Sequence, residues 1–232
     1  MKGFFENLGF FASRFNQAIV ITIELSIISL VAATIIGIIV GLVNTSKSKS
    51  VIIKILKAIA NLYIYIIRGT PMLVQILIIY FGLGQMLRPT GFRWLNIGGT
   101  FTAGTVALSL NAGAYMAEIV RGGIEAVDKG QIEAARSLGL TYGKTMKKII
   151  LPQALRTMLP SIINQFIISI KDTSLLSVIG LTELTNVGKT IAATQSAHMM
   201  VIYCFMACYY LFICTVLAQV SKVVEKRLSY GK

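Results

Sequence analysis

The sequence predicts an all-α integral membrane protein: about five membrane-crossing helices, with a helical cytoplasmic element between two of them. Composition, the lengths of the apolar runs and the placement of Lys and Arg carry that expectation. Of 232 residues 55% are hydrophobic and only 13% charged, and the mean hydropathy is +0.75. A soluble domain carries about a quarter charged residues. A formal net charge of +13 would suit nucleic acid on a polar domain. No polar stretch here is large enough to fold alone, so the excess cations belong on the cytoplasmic side of a bilayer.

Spanning the hydrocarbon core takes about 20 apolar residues. The first run covers 17–43. The second, 52–87, is too long for one straight span and is interrupted at Arg68-Gly69-Thr70-Pro71. It reads as an approach helix through Ile67 and a crossing from Pro71 onward, proline being suited to a helix start. The third, fourth and fifth spans cover 102–122, 158–179 and 199–223. Residues 1–16 form an extracytoplasmic segment without a cleavage signal. Residues 17–223 form the membrane domain, with a cytoplasmic loop at 122–157, and 224–232 a cytoplasmic tail.

Orientation follows the basic residues. With the N-terminus outside, segments 45–57, 121–156 and 222–232 lie inside and hold fifteen Lys and Arg. The outer segments hold five: Lys2, Arg14, Arg88, Arg93 and Lys189. The N-terminus is therefore expected outside and the C-terminus in the cytoplasm.

A loop as long as 122–157 is rarely structureless. Residues 131–138 read as a helix stopped by Gly139. A second helix is expected from Thr141, as N-cap, to about Ile150, ending before Pro152.

Two stretches mimic a nucleotide phosphate loop and fail. Gly139 and Gly143 are separated by three residues where the motif needs four, and Glu183 stands where a glycine would precede Gly188-Lys189-Thr190. The chain is thus expected to bind no ATP itself. Cys204, Cys208 and Cys214 match no metal spacing and read as small apolar residues. With a single histidine, His198, and scattered acids, no catalytic set converges and no metal is expected.

The loop is more specific. Glu133-Ala134-Ala135, then Gly139, then Ile150-Leu151-Pro152 resembles the EAA signature of permease subunits in bacterial ATP-binding-cassette (ABC) importers. Glu24-Leu25-Ser26, Arg68-Gly69-Thr70-Pro71, the run from Ala114 to Gly123, and Lys171-Asp172-Thr173-Ser174-Leu175 resemble the subfamily importing polar and basic amino acids. The resemblance covers 17–223. It implies the type I importer permease fold and a subunit of the bacterial cell membrane that hydrolyses nothing. It also implies two cytoplasmic ATPase subunits that bind ATP and Mg, a second permease chain, identical or similar, and an extracytoplasmic substrate-binding protein. Glu133, Ala134, Ala135, Gly139, Leu151 and Pro152 would form the ATPase-docking element, with small residues permitting close approach and Gly139 a sharp turn.

Acids within spans are costly and mark function. Glu24, Glu118 and Asp172 qualify. Asn111, Tyr115 and Glu118 share a helix face by spacing, and Asn164 and Gln165 on the fourth span can face them. Substrate contact in a translocation path and hydrogen bonding between helices are both compatible with this cluster. Asp172 belongs either to that path or, with Lys171, to an ion pair. Three acids favour basic amino acids as cargo, with glutamine, glutamate or cystine as the alternative.

Overall fold

The computed structural model describes residues 8–229. The expectations for Lys2, for residues 1–7 and for Lys232 lie outside them. The described residues are helical, with no strand among them.

Helix α1, Leu8–Thr45, is about 57 Å long at 1.5 Å per residue. It starts inside the expected extracytoplasmic segment because Phe11, Phe15 and Ala18 extend its buried stripe, packing with Leu184, Val187 and Ile191. Within it Thr22, Ser26 and Thr34 donate their hydroxyls to the carbonyls four residues earlier, so no hydroxyl among these three faces hydrocarbon unpaired.

Between helix α2, Val51–Gly69, and helix α3, Met72–Met86, the chain bends by 110°. Thr70 is extended (φ −123°, ψ 147°), as the residue before a proline is biased to be. The expected break is present, but the helix after Pro71, Met72–Met86, supplies only 15 residues, about 22 Å. The bent pair, not α3 alone, has the length of a crossing. A π-helical stretch, Ile78–Leu83, interrupts α3, and the Trp94 indole N–H donates to the Tyr80 carbonyl there (3.1 Å).

Helix α4, Gly99–Glu125, occupies the centre. It runs parallel to α1: Leu25 lies at the level of Leu108, Ala33 meets Ala112 and Met116, and Gly41 abuts Val120. A side chain at Gly37 would collide with Met116, so the two glycines set the closeness of these helices. Three helical stretches, 11–45, 142–179 and 196–227, are long and apolar enough to cross a membrane, or four with the bent pair. Helix α4 falls short in apolarity, not length. Its Gly, Ala, Ser and Thr residues pack against other helices rather than lipid, so it needs no lipid-like hydropathy.

Helix α5, Lys129–Ser137, begins two residues before the expected helix because the Asp128 side chain caps it, accepting from the Gln131 N–H. After Tyr142–Thr145 and a π-helical stretch, Met146–Ile150, the chain passes directly into α6, Leu151–Asp172. The expected stop before Pro152 is therefore absent. Proline costs nothing in hydrogen bonding where the ladder is already shifted, and the wider π turn makes room for its ring. Helix α6 ends in a 3-10 stretch, Thr173–Ile179. Helix α7, Leu184–Thr194, precedes α8, Met199–Ser229, which carries the expected fifth span on through much of the tail. Gly123 of α4 abuts Met158 and the Ala154 carbonyl of α6, and these two helices run in opposite directions.

Candidate functional site

Two features stand at the end of the bundle where α4 finishes: a compact helical knob and, above it, a polar cavity.

The knob is α5 with its exit. The Leu140 N–H bonds the Ala135 carbonyl, and the Gly139 N–H bonds that of Arg136, the paired bonds of a Schellman cap. Gly139 holds φ at +78° with open space around it, so conformation rather than room demands glycine. The Gln153 side-chain amide donates to Gln131 Oε1 (2.6 Å) and ties the knob to α6. Ile132 and Met146 pack on a core of Val120, Ile124, Val127, Ile150, Ala154 and Met158. The knob is thus anchored to the membrane domain at both ends.

Its residues divide by direction. Glu133, Ala134, Gly139 and Pro152 are exposed, and Leu151 is half-buried. Ala135 is buried, which corrects the expectation that both alanines meet a partner: one helical step of 100° turns Ala135 toward its own chain while Ala134 faces out. The sequence reading passed over Leu138, which is 84% exposed at the tip. Glu133 also lines a cleft of about 680 Å³ with Lys47, Lys57 and Lys129.

The cavity, an open pocket of about 490 Å³, lies between α4 and α6. Tyr115 and Glu118 line it from α4, and Ser161, Asn164 and Gln165 from α6. Pro160 also lines it, and its missing N–H leaves the Arg156 carbonyl without its usual helical donor. Arg68 enters from the end of α2 and Glu225 from α8.

The electrostatics centre on Glu118. Its Oε2 is 3.0 Å from an Arg68 guanidinium nitrogen and 2.9 Å from one of Arg121. Arg121 Nε donates to the other oxygen (3.0 Å), and Arg121 also bonds Glu125 (2.8 Å). Glu118 is thus shared by two guanidiniums. Arg68 additionally lies 5.4 Å from the centroid of the Tyr115 ring, a cation–π distance.

Of the expected path residues, Tyr115, Glu118, Asn164 and Gln165 meet at this cavity. Asn111 does not: it is buried and donates to Gln75 Oε1 of α3 (2.9 Å), and spacing on α4 gave no sign that its upper face meets α3. Asp172 is not among the lining residues and forms no ion pair with the exposed Lys171 among the described residues. The ion-pair expectation is corrected, since neighbouring residues on a helix point about 100° apart, and Asp172 ends α6 about two turns beyond Gln165, outside this cavity. Glu24 is exposed on α1.

Sequence reasoning missed Arg68 as a cavity residue, although a lone charge in an apolar run is the signal it applied to acids. It also missed Glu183, which is wholly buried and caps α7. Glu183 accepts from the Thr185 and Asn186 N–H groups (2.7 Å each) and the Tyr210 hydroxyl (3.1 Å). Burial raises its carboxyl above the ordinary range, and these bonds pull it back.

An open pocket with polar lining on a helical membrane domain, beside a helical knob at one end, suits a membrane transport permease. The chain belongs to the family of binding-protein-dependent transport system inner membrane components, whose sequence profile matches residues 33–230. It is 41% identical over 207 residues to the glutamine transport system permease protein GlnP of Escherichia coli (strain K12), covering 89% of each chain. It is 36% identical over 212 residues to the arginine transport system permease protein ArtQ of Bacillus subtilis (strain 168), covering 91% of each. The L-cystine transport system permease protein TcyB of the same strain is 40% identical over 207 residues, 89% of this chain and 83% of that one. Among solved structures, an amino acid ABC transporter crystallised with histidines superposes with a TM-score of 0.85 at 35% identity, over 96% of this chain and 98% of that one. The chain is a multi-pass membrane permease of an amino-acid ABC importer.

Proposed function

We propose that this permease passes a polar amino acid through the cavity between α4 and α6, and that the α-carboxylate meets Arg68 there. The carrying observation is the meeting of Arg68 with Glu118, Tyr115, Asn164 and Gln165 around one opening. Both charge signs, two amides and a phenol suit a zwitterion: a guanidinium for its carboxylate, Glu225 for its ammonium, and amide groups for a polar side chain. Within that class a neutral amide side chain, as in glutamine, is favoured. Glu118 already bears two guanidiniums, so the intramembrane acids that favoured a basic cargo are largely engaged or elsewhere. A basic side chain is the second reading, favoured by the Glu225 carboxylate on the same cavity.

The knob is the docking element for separate ATPase subunits. Glu133, Ala134, Leu138 and Gly139 present its outer surface, and Leu151 and Pro152 its root. Two ATPase subunits hold ATP and Mg, a second permease chain completes the path, and a substrate-binding protein delivers cargo outside. The N-terminus is then extracytoplasmic and the C-terminus cytoplasmic, in a bacterial cell membrane. ATP binding on the motors shifts the pair between inward- and outward-open populations.

Uptake into proteoliposomes containing the assembled complex and its binding protein, with labelled glutamine, arginine, histidine and cystine, tests the assignment. ATP-dependent uptake with glutamine preferred supports the first reading, and a preference for arginine the second. Uptake of none of them contradicts the cavity's assignment.

A further inference from the structure

We propose that Gln75, held by Asn111, is a positioning residue for the cavity: it locks the bend after α2 in the geometry that brings the Arg68 guanidinium to Glu118 and Tyr115. The proposal rests on the reading that Arg68 faces the transported amino acid.

The break between α2 and α3 leaves hydrogen bonds that must be satisfied. A helix that ends inside a membrane domain leaves its last carbonyls without intrahelical donors, and no water reaches hydrocarbon to supply them. At the end of α2 the Thr70 hydroxyl donates to the Ile66 carbonyl (2.8 Å). The Gln75 side-chain NH2 reaches back from the first turn of α3 to the Ile67 carbonyl (2.8 Å), the Thr70 carbonyl (3.0 Å) and the Thr70 hydroxyl (2.9 Å). One amide therefore bridges both arms of the 110° bend.

Its orientation is fixed from the other side. Asn111 Nδ2 donates to Gln75 Oε1, so the amide presents NH2 to the carbonyls and oxygen to α4; the reverse flip would set oxygen against oxygen. Gln75 and Asn111 are each only 6% exposed. Buried amides with this many partners specify one geometry rather than several. Arg68 lies within the clasped segment, next to Ile67 and two residues before Thr70. Its guanidinium bonds Glu118 seven residues below Asn111 on the same helix. Asn111 and Glu118 thus hold the bend at two levels of α4, one through a neutral clasp and one through a charge that faces the cavity. Loosening the clasp frees the segment that carries Arg68 without touching any cavity-lining side chain. This gives Asn111 a role at the path although it does not line it.

The test uses the purified permease–ATPase complex and measures the Kd for labelled glutamine and labelled arginine, together with the melting temperature. Gln75→Met keeps the side chain's length and removes the clasp. It is expected to weaken the tighter of the two ligands about tenfold, and the Gln75→Met/Arg68→Gln double variant is expected to bind no more weakly than Arg68→Gln alone. Thr70→Val, which deletes one Gln75 acceptor together with the hydroxyl's bond to the Ile66 carbonyl and leaves Gln75 in place, is expected to weaken binding about threefold, again with no further loss on top of Arg68→Gln. A purely structural Gln75 would lower the melting temperature and leave Kd unchanged, which would overturn the proposal. So would losses that multiply in the double variant, because Gln75 would then act independently of Arg68. If Gln75→Met does not assemble, Thr70→Val decides, and an unchanged Kd there overturns it. Arg68→Gln binding both ligands like wild type would instead overturn the cavity reading itself.

Discussion

Arg68 and Glu118 are 50 residues apart in sequence and 3.0 Å apart in space. The contact joins the broken end of α2 to the central helix α4, and Arg121 completes it from one turn further along. Charge at the cavity is therefore arranged as a shared carboxylate rather than as a free acid awaiting a cationic ligand.

Glu118→Gln tests that arrangement. A free acid would make the substitution selective, cutting arginine uptake and sparing glutamine uptake. With the carboxylate engaged, its removal releases Arg68 and Arg121 together, and uptake of both amino acids is expected to fall about fivefold. Glu118 is partly solvated, so no larger effect is expected. Paired uptake measurements with the two labels distinguish the cases.

Gly139→Asp should uncouple the transporter without removing it from the membrane. A residue with a Cβ at φ +78° is strained by roughly 1–2 kcal/mol, and a carboxylate at a helix C-terminus opposes the dipole. Membrane abundance is expected to stay near wild type, while substrate-stimulated ATPase activity of the complex falls to background. Normal stimulation in this variant would count against docking at the knob.

The neighbouring alanines should separate docking from folding. Ala134→Trp projects outward and is expected to abolish co-purification of the ATPase at unchanged melting temperature. Ala135→Leu overpacks a buried site and is expected to cost about 1–3 kcal/mol of stability, read as a lower melting temperature of the permease itself.

Glu183→Ala removes a wholly buried cap that accepts two backbone N–H groups and the Tyr210 hydroxyl. A loss of about 2 kcal/mol is expected, seen as a lower melting temperature. Transport per folded complex should be unchanged, since Glu183 is not among the residues lining the cavity.

Much of this was legible in the sequence, for identifiable reasons. Apolar runs and a proline located α1, the bent pair and α8, and Gly139 marked a helix end because only a left-handed residue completes a Schellman cap. Pro152 misled because a π turn ahead of it lets the helix continue. Asn111 misled because helical spacing assigns residues to a face but does not say that the upper part of that face meets α3 and the lower part the cavity. Arg68 carried a local signal, a lone charge in an apolar run, but its partner Glu118 lies 50 residues away and no local pattern names it. Ala135 follows the same rule, since one helical step separates a partner-facing residue from a core-facing one.

The central claim is that Arg68 meets the carboxylate of the transported amino acid. Arg68→Gln in the assembled complex, reconstituted with its binding protein, tests it by ATP-dependent uptake of labelled glutamine and arginine. Uptake of both is expected to fall about tenfold or more, since both carry the same α-carboxylate, with the complex fully assembled. Wild-type uptake of both by that variant would contradict it.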